Sequence, residues 1–228
     1  AKPEWKPELV ISGSTQYLGV KPYGMYRFDQ VFTDRQLVAL TTFSDLALRV
    51  PERIKRDAVQ AGLADRPEAL RDGGTGANAY AEAVGVYLAF AIDRLADYNS
   101  AIATWKPSGE QVMQTFKRQA LPMTWDFPES NVLGHSAICW KNSIKYTADN
   151  LEASGIVPGG LGFAVQGDAG SQSLSLSKVV STDPPYYDNI PYADLSDFFY
   201  VWLRHSLRHV FPGLFATLAV PKAEELVA

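Results

Sequence analysis

Four consecutive residues, Asp183-Pro184-Pro185-Tyr186, combine hydrogen-bond acceptors with a flat aromatic ring. A proline forces the residue before it toward extended geometry, and proline itself has no N–H group. The tetrad is therefore expected to form a rigid loop that presents carbonyl oxygens and the Asp183 carboxylate without neighbouring donors. Tyr186 adds a surface on which a planar group can stack. This combination suits a planar group that carries an NH₂, such as the exocyclic amine of a nucleobase.

Methyl transfer to such an amine is the chemistry that these residues could support. An aromatic amine is a poor nucleophile, because its lone pair is delocalised into the ring. Two acceptors that hold its N–H bonds favour the more tetrahedral nitrogen of the transition state. If the electrophile is a sulfonium methyl group, the protein needs only to hold nitrogen and methyl in line at about 3 Å. A base in duplex DNA must first leave the stack. The alternative is that the two prolines simply end a strand.

The elements around the tetrad are predicted to be strands. Residues 162–170 and 173–185 are short apolar runs that end in polar turns, which is typical of neighbouring strands in a parallel sheet. In an open α/β sheet, ligands lie beyond the carboxyl ends of the strands, where Asp168 and Asp183 both stand. A helix over 193–210 follows, with Asp194 as its candidate N-cap.

The preceding chain is predicted to be mostly helical. We expect an irregular arm over 1–30, a helical region over 31–155 and the α/β part over 156–228. Within the helical region, the predicted helices begin at Thr33, restart at Pro51 and cover 79–100, 108–120 with a Ser108/Gln111 capping box, and about 133–153. One face of the helix over 79–100 is predicted to comprise Tyr80, Val84, Tyr87, Leu88, Ala91 and Leu95.

Composition excludes several classes of protein. The 228 residues are 46% hydrophobic and 20% charged, as in ordinary globular proteins, and the net charge of −4 gives no general argument for nucleic-acid binding. One cysteine allows no disulfide framework or thiolate zinc site, and three histidines without spaced partners make a metal site unexpected. No apolar run reaches the roughly 20 residues that span a bilayer, and no signal-peptide pattern is present. We therefore expect a cytoplasmic protein without a membrane partner. Both ends read like cuts in a longer protein.

At the tetrad the chain resembles the amino-methyltransferases that carry an (Asn/Asp/Ser)-Pro-Pro-(Tyr/Phe/Trp) motif. The Asp form points most to adenine N6 methylation, while cytosine N4, ribosomal RNA and protein amide targets share variants of it. The match is wider for the adenine-specific DNA methylases of the DUF1156 group. It rests on "TDPPYYDNIPYADLSDFFYVWLRHSL", "LTTFSDL", "GGTGANAYAEAVGVYLAFAIDRLAD" and "FKRQALPMTWDFPESN", which together cover most of the chain from about residue 30.

The resemblance implies a role for each matching residue. Asp183 and the Pro184 carbonyl would hold the target amine, Pro185 would complete the catalytic loop, and Tyr186 would stack on the base. The run Gly167-Asp168-Ala169 would lie against the adenine of the cofactor, S-adenosylmethionine. The implied partners are DNA with the target adenine flipped out and subunits of a restriction or phage-defence system. Further candidates for contact with the base or the DNA are Tyr187, Asn189, Tyr192 and Trp125.

One feature of such methyltransferases is missing from the sequence. A glycine-rich loop of the Phe-x-Gly-x-Gly type normally follows a strand and approaches the methionine part of the cofactor, and no such loop is found here. We therefore expect a fragment with an incomplete Rossmann-like methyltransferase sheet and a large helical insert, inactive by itself. Two alternatives remain. One is a non-catalytic helical module that binds DNA or a partner, and the other is an RNA or protein amide methyltransferase.

Overall fold

A computed structural model describes residues 2–155, 165, 167–183 and 190–223. This part of the chain contains five α-helices and a small antiparallel sheet of two strands, so the fold contains both α and β structure. The helices are α1 (Asp34–Arg49), α2 (Pro51–Gln60), α3 (Ala77–Tyr98), α4 (Trp140–Ser154) and α5 (Tyr192–Leu207), and the strands are β1 (Thr104–Lys106) and β2 (Gln111–Met113).

The starts of α1 and α2 confirm the sequence prediction. The Thr33 side chain accepts a hydrogen bond from the Gln36 backbone N–H, and the Gln36 side chain accepts one from the Thr33 N–H at 2.8 Å. This reciprocal pair satisfies two backbone donors that a helix start leaves free. Pro51 then opens α2 directly after α1. Proline is tolerated there because the first turn of a helix needs no donor from it.

The buried face of α3 differs from the predicted one. Ala91 and Leu95 are buried as predicted, but Tyr80 and Tyr87 are exposed. The buried positions are mostly small, namely Ala77, Ala79, Ala81, Gly85, Ala89, Ala91 and Ala96 beside Ile92 and Leu95. Small side chains let neighbouring helices come close. A Cβ atom on Gly85 would lie 3.4 Å from the Pro51 ring, which opens α2. The large aromatic residues of α3 therefore remain on its outer faces.

The larger of two hydrophobic clusters joins the first thirty residues to α1, α3 and α5. The irregular segment contributes Leu18 and Phe28, both fully buried, although it contains only short 3-10 turns and one isolated bridge. Phe198 and Trp202 of α5 lie at the centre of the same core. Phe32 packs against both, with ring centroids 5.5 Å apart in each pair. Residues 1–30 therefore contribute to the core. The domain limit at residue 155 remains a prediction.

The predicted helix over 108–120 is wrong. This region instead forms a hairpin in which Thr104 pairs with Met113 and Lys106 with Gln111. The Pro107-Ser108-Gly109 turn and the left-handed Glu110 (φ 46°) reverse the chain. Threonine, tryptophan and valine favour extended structure, and the proline and glycine favour the turn. Ser108 therefore belongs to a turn rather than to a capping box.

The second predicted strand is also wrong in its described part. Residues 174–178 form turns, closed by hydrogen bonds from the Leu176 N–H to the Ser173 carbonyl and from the Lys178 N–H to the Ser175 carbonyl. Ser177 adopts a left-handed conformation, with φ 61°. The alternating Ser-Leu pattern indicates a strand, but the Gln172 side chain here accepts a hydrogen bond from the Ser175 N–H and donates one to the Ser175 hydroxyl instead. The described residues of the first predicted strand, 165 and 167–170, are not extended strand either.

The two C-terminal helices begin at positions that differ from the predictions. Helix α4 begins at Trp140, seven residues after the predicted start, because residues 131–139 form turns that the Trp140 N–H closes onto the Val132 carbonyl. Helix α5 has Pro191 as its N-cap, so Asp194 lies in the first turn and is not the cap. None of the described helices has the length and apolarity that crossing a bilayer requires.

Candidate functional site

Asp183 is the one residue of the predicted catalytic tetrad that lies within the described part of the chain. It is exposed, and its carboxylate has no hydrogen-bond partner among the described residues. The other predicted residues of this loop, Pro184, Pro185, Tyr186, Tyr187 and Asn189, lie outside the described residues. The described chain resumes at residue 190, directly before α5. The geometry of the candidate loop is therefore defined by Asp183 on one side and by α5 on the other.

Helix α5 is fixed at its start by contacts with the first residues of the chain. The Asp194 carboxylate accepts a hydrogen bond from the Ser12 hydroxyl and lies 3.9 Å from the Lys222 ammonium nitrogen. A Cβ atom on Gly13 would collide with the same carboxylate, and Gly13 has a φ of +83°. Glycine meets both requirements because it has no Cβ and adopts left-handed backbone readily. The start of α5, which follows the candidate loop, is thus anchored.

The middle of α5 holds the C-terminal segment 217–222. The buried Asp197 carboxylate accepts hydrogen bonds from the Val220 N–H at 2.8 Å and from the Lys222 ammonium at 2.7 Å. Tyr200 and Arg204 both donate to the Thr217 carbonyl, at 2.9 and 2.7 Å. The helix that follows the candidate loop is therefore held from two directions.

The predicted cofactor residues surround an exposed turn. The Asp168 carboxylate accepts hydrogen bonds from the Ser171 hydroxyl at 2.6 Å and from the Gly170 N–H at 2.9 Å. These bonds, the Ser171 bond first, lower the pKa of Asp168. A carboxylate offers about four acceptor positions, so Asp168 can still accept further hydrogen bonds. Ala169 is exposed beside it.

Gly167 lines a groove of about 510 Å³ whose other lining residues extend to Ser181. We call it the aliphatic groove; it is lined by Val165, Gly167, Gln172, Leu174, Ser175, Lys178, Val179, Val180 and Ser181. The structure thus brings one predicted cofactor residue together with the run that ends at the tetrad. The walls of the groove combine aliphatic and polar side chains, and Asp168 follows Gly167 in the chain.

The two described candidates for base contact lie in different settings. Trp125 is 78% exposed, and its ring meets the Tyr23 ring edge-on, with centroids 5.2 Å apart. Tyr192 is half exposed in the first turn of α5. No ring contact joins Trp125 to Tyr192 in the described part of the chain. Both side chains are available for stacking, but on the described contacts they do not form one site.

Sequence analysis missed a cluster that links the arm to the other end of α5. Asp45 accepts a hydrogen bond from the Trp5 indole N–H at 3.0 Å, and its Oδ1 lies 2.7 Å from the His205 Nε2 atom. The Trp5 and His205 rings stack with centroids 3.9 Å apart. These residues are separated by 40 and 160 positions, so no local pattern marks them. His205 therefore contacts Asp45, and Arg204 donates a hydrogen bond to the Thr217 carbonyl.

Sequence analysis also missed two adjoining clefts along the C-terminal half of α3. They have volumes of about 510 and 700 Å³ and share Arg94, Tyr98 and Gln114. Asp93 and Asp97 line the smaller cleft. Two acids four positions apart in a mostly apolar helix were the signal that could have indicated this site, because residues at that spacing share one face.

Comparisons with known protein families, with curated proteins and with solved structures returned no match. Within the described residues, no three His, Cys, Asp or Glu side chains are grouped as a metal site would require. The assignment of function therefore depends on the residues of the chain itself.

Proposed function

We propose that this chain forms the catalytic-loop region of an S-adenosylmethionine-dependent DNA adenine N6-methyltransferase. The observation that carries the proposal is the Asp-Pro-Pro-Tyr tetrad, whose exposed Asp183 stands two positions after Ser181, the last residue that lines the aliphatic groove. An amine substrate needs an exposed acceptor, and an adenine-bearing cofactor needs a partly apolar groove.

The residues of the chain have distinct roles in this proposal. Asp183 and the Pro184 carbonyl accept the N–H bonds of the flipped adenine and favour the tetrahedral nitrogen of the transition state. Tyr186 stacks on the base, with Tyr187, Asn189, Tyr192 and Trp125 as further contacts to the base or the DNA. Gly167, Asp168 and Ala169 hold the adenine of the cofactor. S-adenosylmethionine, when bound, supplies an electrophilic methyl group.

The aliphatic residues before Asp183 support a role within a larger sheet. Val179 is fully exposed, and Leu176 and Val180 are 72% and 57% exposed. β-branched residues are typical of buried strands, and a run of them in water is unusual outside an interface. We propose that this segment pairs with strands from the rest of the enzyme to complete a Rossmann-like sheet. Helices α1 to α4 then form the insert, and the chain alone is inactive.

The experiment is to express the whole gene that encodes this sequence in a bacterial strain without adenine methylation. Nucleosides from the digested DNA are then quantified by mass spectrometry. We expect N6-methyladenine, and at least about a 100-fold loss with Asp183→Ala, because one preorganised acceptor is removed. Asp183→Asn keeps an acceptor oxygen and should retain part of the activity. The control is Asp57→Ala, which removes an exposed aspartate of α2.

Equal methylation by the Asp183→Ala and Asp57→Ala proteins would contradict the proposed catalytic role of the tetrad. A methylated RNA nucleoside or a methylated protein amide would instead assign one of the other substrates. The rival function is a helical module that binds DNA or a partner without catalysis. It is favoured by one observation, namely that the described residues 167–183 contain no strand. In that case the Asp183→Ala protein would retain DNA binding, and no methylated product would be found with either protein.

A further inference from the structure

The smaller cleft on α3 has aromatic walls and an acidic floor. We call it the acidic cleft. It has a volume of about 510 Å³ and is formed mainly by α3 and α4, with one residue of α5. Its aromatic side chains are Tyr87, Phe90, Tyr98, Tyr146 and Phe199. Aromatic faces attract cations through the negative charge of the ring surface.

Asp93 is the least satisfied polar group of this cleft. Its Oδ1 atom is buried and has no hydrogen-bond partner in the described part of the chain. Buried polar atoms are nearly always paired, so an unpaired carboxyl oxygen in a cleft requires an explanation. Burial, together with the charge of Asp97, raises the pKa of Asp93 well above its ordinary value. A bound donor would satisfy the free oxygen.

Asp97 lies one helical turn further along on the same face. Its Oδ1 accepts a hydrogen bond from the Phe116 N–H at 3.2 Å, so it is positioned by the chain that follows β2. Burial raises the pKa of Asp97 as well. Acids at this spacing repel each other and destabilise a helix. The pair is therefore better explained by a cation that lies between them than by the stability of α3.

Arg94 compensates these acids only in part, since its charge lowers the pKa of Asp97 against the larger effect of burial. It is the one basic residue among the described residues that line the acidic cleft. Its guanidinium lies over the Tyr146 ring, 3.8 Å from the centroid, and 5.0 Å from the centroid of the Tyr98 ring. No ion pair joins Arg94 to Asp93 or Asp97 among the described contacts. The cleft thus has two acids, one engaged cation and room for a ligand.

We propose that the acidic cleft binds a small organic cation whose N–H groups donate hydrogen bonds to Asp93 and Asp97. An alkylammonium or guanidinium group meets these requirements, since its stem can lie on the aromatic walls while its charged end reaches the carboxyl groups. A polyanion such as DNA does not fit the pair of acids. The proposal is independent of methyl transfer, because it uses none of the residues assigned to that reaction.

Calorimetric titration of the chain with agmatine tests the proposal. Agmatine carries an ammonium and a guanidinium group, and N-carbamoylputrescine replaces the guanidinium with a neutral urea. We expect agmatine to bind at one site and N-carbamoylputrescine to bind at least about tenfold more weakly. Tetramethylammonium, which has no N–H donor, tests whether the aromatic walls alone suffice. A capped arginine dipeptide tests whether the cation comes from a peptide, in which case it should bind more tightly than agmatine.

Two variants assign the binding to Asp93. Asp93→Asn keeps the size of the side chain and removes its charge, and should weaken agmatine binding about tenfold or more, as expected for a charged hydrogen bond. Asp149→Asn is the matched control, because Asp149 is an exposed acid of α4 that pairs with Lys145 and does not line the cleft. If Asp93→Asn does not fold, Phe90→Ala removes one exposed wall of the cleft instead and should also weaken binding. No binding at 10 mM agmatine, or equal binding by Asp93→Asn and Asp149→Asn, would overturn the proposal.

Discussion

Asp93 is a single side chain whose burial is expected to lower the stability of the folded chain when its carboxyl group is charged. Its buried oxygen has no partner in the described residues, and burial and Asp97 raise its pKa. When folding raises the pKa of a carboxyl group, the folded chain holds the proton on that group more tightly than the unfolded chain does. Its penalty is therefore absent at pH values below the unfolded pKa, grows as pH rises from the unfolded to the folded pKa, and is complete above the folded pKa.

This sign gives a prediction for Asp93→Asn, which cannot ionise. We expect the variant to raise the melting temperature of the chain more at pH 8 than at pH 4, measured by circular dichroism. Asp97, whose pKa is raised by burial, contributes in the same direction in both proteins, and Arg94 is charged throughout. The control Asp149→Asn should show no such pH-dependent gain. A gain for Asp93→Asn that is equal at both pH values would contradict this account.

At the scale of elements, α5 is the structure that positions the candidate catalytic loop. Its buried Asp197 holds Val220 and Lys222, while Asp194 contacts Ser12. The chain is therefore anchored at Asp194 and Asp197, a few residues after the candidate loop.

Asp197→Ala should lower the free energy of unfolding by about 1–3 kcal/mol, because it leaves the Val220 N–H without its acceptor and Lys222 without the closer of its two acidic partners. The half-buried Lys222 can still reach water, so the larger penalty of a fully buried charge is not expected. Urea unfolding measures the change, with Asp57→Ala as the exposed control. A loss below about 0.5 kcal/mol would mean that segment 217–222 adds little to stability.

Local signals predicted some elements and failed for others. Thr33 and Gln36 specify the start of α1 because their reciprocal bonds are local. Ser108 and Gln111 have the same spacing, but Pro107 and Gly109 favour a turn. The sequence pattern alone does not show whether the capping box or the turn is more stable. The buried face of α3 could not be predicted because close helix packing selects alanine over tyrosine there. For the site, the tetrad and Gly167 came from sequence, whereas the acidic cleft depends on α4 meeting α3.

At the scale of the whole molecule, the described chain has a complete helical core and an uncovered aliphatic segment. The core joins residues 11–32 to α1, α3 and α5, while residues 174–180 lie largely in water. Folding of the core therefore does not require residues 174–180. The apolar side chains of this segment are not buried against the core in the described part of the chain.

Val179→Asp tests whether Val179 serves the stability of this chain or the proposed sheet of the whole enzyme. We expect the free energy of unfolding of this chain to change by less than about 0.5 kcal/mol, because Val179 is fully exposed. Adenine methylation by the whole gene product should nevertheless be lost, since a charge would enter the proposed sheet. Leu133→Asp is the control, because Leu133 is an exposed aliphatic residue of another loop. Methylation that is unaffected by Val179→Asp would argue against a strand at this position.

The contacts between the first residues and α5 also determine when the protein can fold during its synthesis. Ser12 and its partner Asp194 are 182 positions apart. At the usual speed of translation, on the order of 10 to 40 s pass between the synthesis of these two residues. During that time Ile11, Leu18 and Val20 leave the ribosome without the helix that covers them. The rate at which the ribosome moves through α4 and the following segment therefore sets how long this apolar stretch is open to chaperones.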